Sequence, residues 1–404
     1  MKISIITAVA LLLGGTVQAQ TITNYTTANG LLANNALCVD VDASDNIWFG
    51  TQDGVSVFDG ATWTNHTTAD GIVDNTIQAI YVTAAGDVWV GTDFGVSVFN
   101  GTSWSSYTTA GGLGSNQIKC ITENAAGYIW FGTSNGASRY DGVSFTNFGT
   151  AEGLPFGGVN EIEVLANGDV WMGTGLSGVS IYNGSTFSTI NAANNGLIDN
   201  RIRAIAVDAT STKWIGTSEG ISVFNSSNSI FMNHTTMFSL PAPDTLNPIE
   251  DIEMDSQGNF WVGVYVDYLV TEGGVCAYNG NNWNEYKVAD GLVGPVVRAL
   301  AIDGNDDVWV ATSTGVSKIS DPSVGIHKLE AATFSIYPNP ASDLLSIRVP
   351  NDLVNSEIVI YDASMKIVKE EVLTSELTQF SVADLSTGIY FVKIGSAVER
   401  LVIR

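Results

Sequence analysis

Residues 46–60, NIWFGTQDGVSVFDG, recur as DVWVGTDFGVSVFNG from residue 87 and as YIWFGTSNGASRYDG from residue 128. Weaker copies follow, so that one Trp marks each: Trp48, Trp89, Trp130, Trp171, Trp214, Trp261 and Trp309, spaced by 41, 41, 41, 43, 47 and 48 residues. No other feature constrains the fold as strongly. A unit of about forty residues made of short alternating runs cannot bury its apolar faces alone, and stacking such units in a ring is the β-propeller solution.

One repeat divides into four strands. In the second copy IQAIYVT (77–83) is strand a, VWVGT (88–92) strand b, VSVF (96–99) strand c and WSSYT (104–108) strand d. Asn-Gly and Asp-Gly turns between alternating runs signal hairpins. Strand d carries a large residue three places before another, as in Trp63/His66, Trp104/Tyr107 and Trp283/Tyr286. The seventh motif, VWVATSTGVSKISDPS, has no such strand behind it, whereas Ile22/Tyr25 matches the pattern ahead of the first motif. The orphan at the start fits the vacancy at the end, which predicts a seven-bladed β-propeller over residues 20–319 whose first and last segments share one sheet and leave no open edge.

The cores IWFGTQDGV, IWFGTSNGA and KWIGTSEGI resemble the two-component regulator propeller repeat, and the likeness covers residues 21–319. WVGV (261–264) and WVAT (309–312) depart from its Gly-Thr pair. In that family such propellers usually form the extracytoplasmic sensor of a membrane-bound kinase, so the resemblance implies the fold; a signalling role is not carried over. After a predicted linker at 320–332, residues 333–404 hold Tyr337-Pro338-Asn339-Pro340, a Leu-x-Ile at Leu345–Ile347, Gly388-Ile389-Tyr390 and a basic-apolar ending. Seven short strands trace a small Ig-like β-sandwich. This segment resembles the C-terminal sorting domain of the type IX secretion system, with Tyr337, Pro338, Asn339, Pro340, Gly388 and Tyr390 as its motif. The resemblance implies the type IX machinery as partner and delivery through the periplasm to the cell surface or beyond.

The first nineteen residues agree with that route. Lys2, the apolar run Ile3–Leu13 and the small residues before Ala19 read as a signal peptide cut between Ala19 and Gln20. The run is too short to span a membrane, and no later segment predicts an integral membrane helix. The net charge is −25, of which residues 20–320 carry −22 from 30 acidic and 8 basic side chains. Such a body repels phosphate backbones, so nucleic-acid partners are not expected. Cys38 and Cys120 hold equivalent places in repeats one and three, with a whole repeat between them; with Cys276 they read as small buried residues, without a disulfide.

Chemistry is sparse. His66 and His234 occupy the strand-d aromatic place, and His327 lies in the predicted linker. No HExxH, P-loop or paired His occurs. DVDASDN (40–46) and DGNDD (303–307) have a faint calcium-loop look, but both fall at the a–b hairpin, where Asp, Asn and Gly favour a turn. No cofactor is expected beyond the room these turns leave for calcium. The motif tryptophans read as repeat core. The departures from 41 residues are more informative. Antiparallel strands send the d–a and b–c loops to one face, and that face receives all the insertions but one. The exception is the c–d turn NSSNS (225–229). The two largest are MFSLPAPDTLNP (237–248) and YVDYLVTEGG (265–274), both at blade six. They make Asp244, Tyr265, Asp267, Tyr268 and Glu272 the candidate ligand-binding residues, suited to a sugar or a peptide. The expected function is a non-catalytic recognition module; the alternative is a secreted lyase or hydrolase acting on an extracellular polymer with carboxylates of the same face.

Overall fold

The computed structural model describes residues 21–239, 247–264, 273–280, 282–320, 335–349, 354, 356–362, 366–375, 377–394 and 397–404. The described residues between 21 and 320 form seven four-stranded antiparallel sheets. In the third, for example, Ile118–Glu123, Ile129–Thr133, Gly136–Tyr140 and Phe145–Phe148 run from the innermost strand a to the outermost strand d. Each strand a packs beside the strand a of the next sheet, and that of the seventh packs beside the first, so the blades close a ring. Closure uses the expected strand: Thr21–Tyr25 pairs with Gly315–Ser320, with Ile22 opposite Ile319 and Tyr25 opposite Val316.

The repeated Gly-Thr pair has a physical cause at each letter. The Gly of strand b lies against the next blade: a Cβ on Gly50 would strike Cys38 Sγ and Ile77, and one on Gly91 would strike Ile118. Where the seventh blade writes Ala311 instead, the residue that opens the neighbouring strand a is Ala36 rather than Ile or Val, and the two alanines share one cluster. Volume is conserved across the seam. The Thr closes the b–c turn, as Thr133 Oγ1 donates to Gly136 O at 3.0 Å and accepts from Asn135 N at 3.1 Å. A buried Ser on strand c ties the blade to the preceding d–a loop: Ser56, Ser97, Ser138, Ser222 and Ser317 each accept a backbone N–H from the loop 24 residues upstream. The motif tryptophans are all buried, 0–7% exposed.

The single insertion on the opposite face also has a structural cause. Lys213 stands just before Trp214, where other blades place an apolar residue, and is 2% exposed. Its ammonium donates to Asn225 O, Ser226 O and Asn228 Oδ1, all within the enlarged c–d turn. The two extra residues house a buried charge that would otherwise lack acceptors.

Residues 326–404 form a second compact unit. Its two sheets, of three and four strands, enclose Leu345, Ile347, Ile358, Ile360, Val392, Tyr390 and Leu401. Asn339 Oδ1 accepts Val402 N at 2.9 Å, and Tyr390 Oη donates to Ser386 O at 2.8 Å. Tyr337, Asn339, Gly388 and Tyr390 of the motif thus lie on or beside paired strands of the sandwich.

Candidate functional site: the channel and its d–a/b–c mouth

The five blade-six candidates, Asp244, Tyr265, Asp267, Tyr268 and Glu272, lie outside the described residues, as do Ala19 and Gln20. The stem of the first of their loops is described and hydrogen-bonded. Phe238 is buried, its N–H and carbonyl are both bonded by the Asn247 side chain at 2.7 and 3.0 Å, and Lys287 lies over its ring at 4.7 Å.

Elsewhere on the same face the smaller loops present apolar side chains to solvent. Phe94 in the second b–c loop is 60% exposed, Phe156 in a d–a loop 79%, and Leu176 in the fourth b–c loop 63%. Leu176 belongs to the loop that gained one residue, and Ser177 Oγ beside it donates to Phe156 O at 3.1 Å, so these two loops adjoin. Isolated exposed apolar residues are ordinary. Three of them stand on the face that also carries the long insertions, while Val143 in a c–d turn and Phe231 on a strand d are exposed elsewhere.

Beneath that face runs the central channel, a cavity of about 960 Å³ walled by the seven strands a. Its charges are sorted by depth. The second residue of each strand a lies nearest the d–a loops, and this level holds Lys119, Arg203, Glu250 and Arg298, with Arg201 just before it. Four of the propeller's eight basic side chains therefore line the channel. The other four are committed: Arg139 over Trp130, Lys213 in its turn, Lys287 on Glu285 and Lys318 on Asp307. Of the channel cations Arg203 pairs with Glu250 at 2.6 Å and Arg201 with Asp199 at 3.0 Å.

Deeper, Asp40, Glu161, Glu163, Asp251 and Glu253 bring five carboxyl groups into the same cavity. Burial pushes all five up, Asp40 to about 6 and Glu163 to about 7, and Glu253 is raised further by the charges of the other four. Two have structural duties. Asp40 accepts the N–H of Val41 and of Val82 on the next blade, and Asp251 accepts those of Ile252 and Leu300 in the same manner. The seams between blades one and two and between blades six and seven are thereby each bridged by a carboxylate. Glu250 is likewise raised by burial, in spite of Arg203. This ring of acids went unforeseen because Asp40, Glu161 and Glu253 look like sporadic polar residues in apolar strands. Only alignment of the seven strands a by register shows them converging.

The groups suspected of chemistry are occupied with packing. His66 and His234 stack on Trp48 and Trp214 with interplanar angles of 7° and 9°, and burial lowers both imidazoles. The cysteines are buried and unpaired, their thiols held up by burial. In the calcium-like turns Asp42 accepts Ser44 N, Asn46 N, Asn46 Nδ2 and the Trp48 indole, while Asp303 accepts Asn305 N, Asp307 N and the Trp309 indole. These carboxylates brace the motif Trp. Among the described residues no cluster of three or more His, Cys, Asp or Glu is arranged to hold a metal.

Comparisons with known proteins place this geometry. The family model for the two component regulator propeller matches residues 71–94 and 112–135, and that for the secretion system C-terminal sorting domain matches residues 335–404. The extracellular domain of a hybrid two-component system of B. thetaiotaomicron superposes with a TM-score of 0.62 at 17% identity, over 95% of this chain and 59% of that one. PorZ, a surface component of the type-IX secretion system of Porphyromonas gingivalis, gives 0.59 at 18% identity, over 92% and 60%. Virginiamycin B lyase from Staphylococcus aureus gives 0.58 at 15%, over 75% and 99%. At these identities the likeness shows the fold alone. Beta-agarase A of Zobellia galactanivorans is 25% identical over 113 residues, 26% of this chain and 21% of its own, so the chain spans about a fifth of that curated relative. The sorting domain marks the protein for export to the cell surface or the extracellular space. The chain thus carries two matches to the two component regulator propeller repeat and ends in a match to the secretion system C-terminal sorting domain.

Proposed function

We propose that the exported propeller is a recognition module that binds its ligand on the d–a/b–c face without transforming it. One observation carries this: Phe94, Phe156 and Leu176 stand exposed on the face where nearly all the insertions collect, above the channel mouth. Large side chains held in water by short, hydrogen-bonded loops are the anchors that binding surfaces use. His66, His234 and the three cysteines, which would support nucleophilic or acid–base work, are packed into the blades. The blade-six residues Asp244, Tyr265, Asp267, Tyr268 and Glu272 are proposed to extend the same surface, and calcium at an a–b turn is no part of the proposal.

The test is a glycan and peptide array probed with the purified mature protein, followed by calorimetry on the strongest ligand. Replacing Phe156 and Leu176 with Ala is expected to weaken binding about 30-fold, the equivalent of about 2 kcal/mol, with the melting temperature unchanged. Undiminished affinity would remove the face from consideration. Turnover of a bound polymer, seen as new reducing ends or unsaturated products, would favour the lyase or hydrolase instead.

A further inference from the structure

At the seam between blades seven and one a second cavity, of about 560 Å³, opens on the d–a/b–c face and meets the channel at Arg298. Besides Arg298 its polar lining includes Asn35, Gln52, Asp53 and Ser313. Two buried polar atoms here have no hydrogen-bond partner, Arg298 Nε and Asn35 Oδ1. One is a donor and the other an acceptor, yet they do not satisfy each other. Asn35 does bond through its amide nitrogen, to Gln52 Oε1 at 3.3 Å. Glu250 feels the charge of Arg298, but the ion pair that Glu250 makes is with Arg203. Buried orphans cost free energy, and native structures rarely retain them without a use. Two of opposite kind in one recess are matched by a ligand that brings an acceptor and a donor side by side.

The charges narrow the ligand further. A guanidinium prefers an oxyanion. The propeller body as a whole carries −22, and Asp53 stands exposed at the rim, so a densely charged polyanion is repelled before it arrives. What remains is a sparsely charged molecule with one acidic group and neighbouring neutral donors. The adjoining channel is lined by Gln78 and Asn160, whose amides both donate to and accept from hydroxyls, beside carboxyl groups whose hold on a proton burial strengthens. We propose that this recess is a subsite for the acidic unit of an extracellular saccharide, its carboxylate or sulfate oxygen accepting from Arg298 and an adjacent hydroxyl donating to Asn35 Oδ1. The proposal rests on the face being a binding surface and names the class of ligand that it takes.

Four probes test it by calorimetry on the mature full-length protein: a tetrasaccharide ending in glucuronate, one ending in galactose 6-sulfate, a neutral tetrasaccharide and a Glu-rich peptide. At least one acidic saccharide is expected to bind more tightly than the neutral one and to weaken with added salt. Which of the two does so separates the carboxylate source from the sulfate source. Arg298→Gln should weaken that binding at least about tenfold, since a hydrogen bond to a charged group is lost, and should not alter the neutral probe. Arg298→Lys should recover part of the loss, and Asn35→Leu should weaken binding several-fold. Lys366→Gln, at an exposed lysine of the second compact unit, is the control and should change nothing. Equal affinity of Arg298→Gln and the parent, or a peptide that binds as tightly as the saccharide, overturns the proposal. If the Phe156 and Leu176 replacements abolish binding while Arg298→Gln does not, the face stands and the subsite falls. If none of them matters, both fall.

Discussion

Glu163 illustrates what a single residue costs at the centre of the ring. Its carboxyl sits in the channel with a value of about 7 against an ordinary 4.5, raised by burial. The folded protein therefore holds that proton more tightly than the unfolded chain does. Below pH 4.5 both states are protonated and the residue is neutral to stability. As pH climbs from 4.5 through about 7 the folded state is progressively penalised, and the full cost above pH 8 is about 3 kcal/mol. Glu163→Gln is then expected to match the parent at pH 4 and to exceed it by that amount at pH 8, measured by urea unfolding at each pH. A difference that stays constant with pH would show that Glu163 does not titrate in this way. Such a residue is illegible in one strand, because EIEV in isolation is merely a half-polar run. Its meaning comes from burial in the channel, which the strand taken alone does not reveal.

At the scale of the element, much more was legible. The period, the Asp-Gly and Asn-Gly turns and the strand-d pairs located each blade, because local turn chemistry and alternation act within a few residues. The repeated Thr of strand b could be recognised as a motif but its bond to the Gly three or four places on could not. Thr133→Val keeps the volume and removes two hydrogen bonds from a side chain that is 1% exposed. A cost of about 1–3 kcal/mol in chemical denaturation is expected, because Gly136 O and Asn135 N lose a partner. Blade six carries Val264 at this place, in the blade whose b–c connection is longest by seven residues, which fits a turn that no longer needs closing. The insertion at 225–229 shows the opposite limit. As extra loop it looked like a departure on the wrong face, and only the burial of Lys213 explains it. Loop length is visible in a sequence, but what the loop holds is not.

For the whole molecule, export and closure are separate requirements with separate tests. Removing residues 333–404 leaves the propeller's own contacts untouched, since the two units divide near residue 325. The truncated chain is expected to fold and to accumulate in the periplasm, and its appearance in the medium at normal yield would contradict the sorting role. Closure rests on five residues. Thr21–Tyr25 supplies the outer strand of the last blade, and Tyr25 packs its ring against Phe58, Trp63 and Trp309 at 5.1–5.9 Å between centroids. Asn24 adds a second fastening, donating to Gly291 O at 2.8 Å and accepting from Ser317 Oγ at 2.7 Å. A ring held by end-to-end pairing loses more than one strand when that pairing goes, because blade seven then exposes an edge and the cluster it shares with blade one opens. Tyr25→Ala is expected to cost about 2–4 kcal/mol, short of a fully buried aromatic because the ring is only half buried. Deleting residues 21–25 should lower the melting temperature further and make residues near 315–320 the first to exchange their amide hydrogens. An equal truncation within the described sorting unit, at residues 400–404, should leave exchange in blade seven as it was. Protection of 315–320 that survives loss of the first strand would mean that the ring is held shut by the inner strands alone.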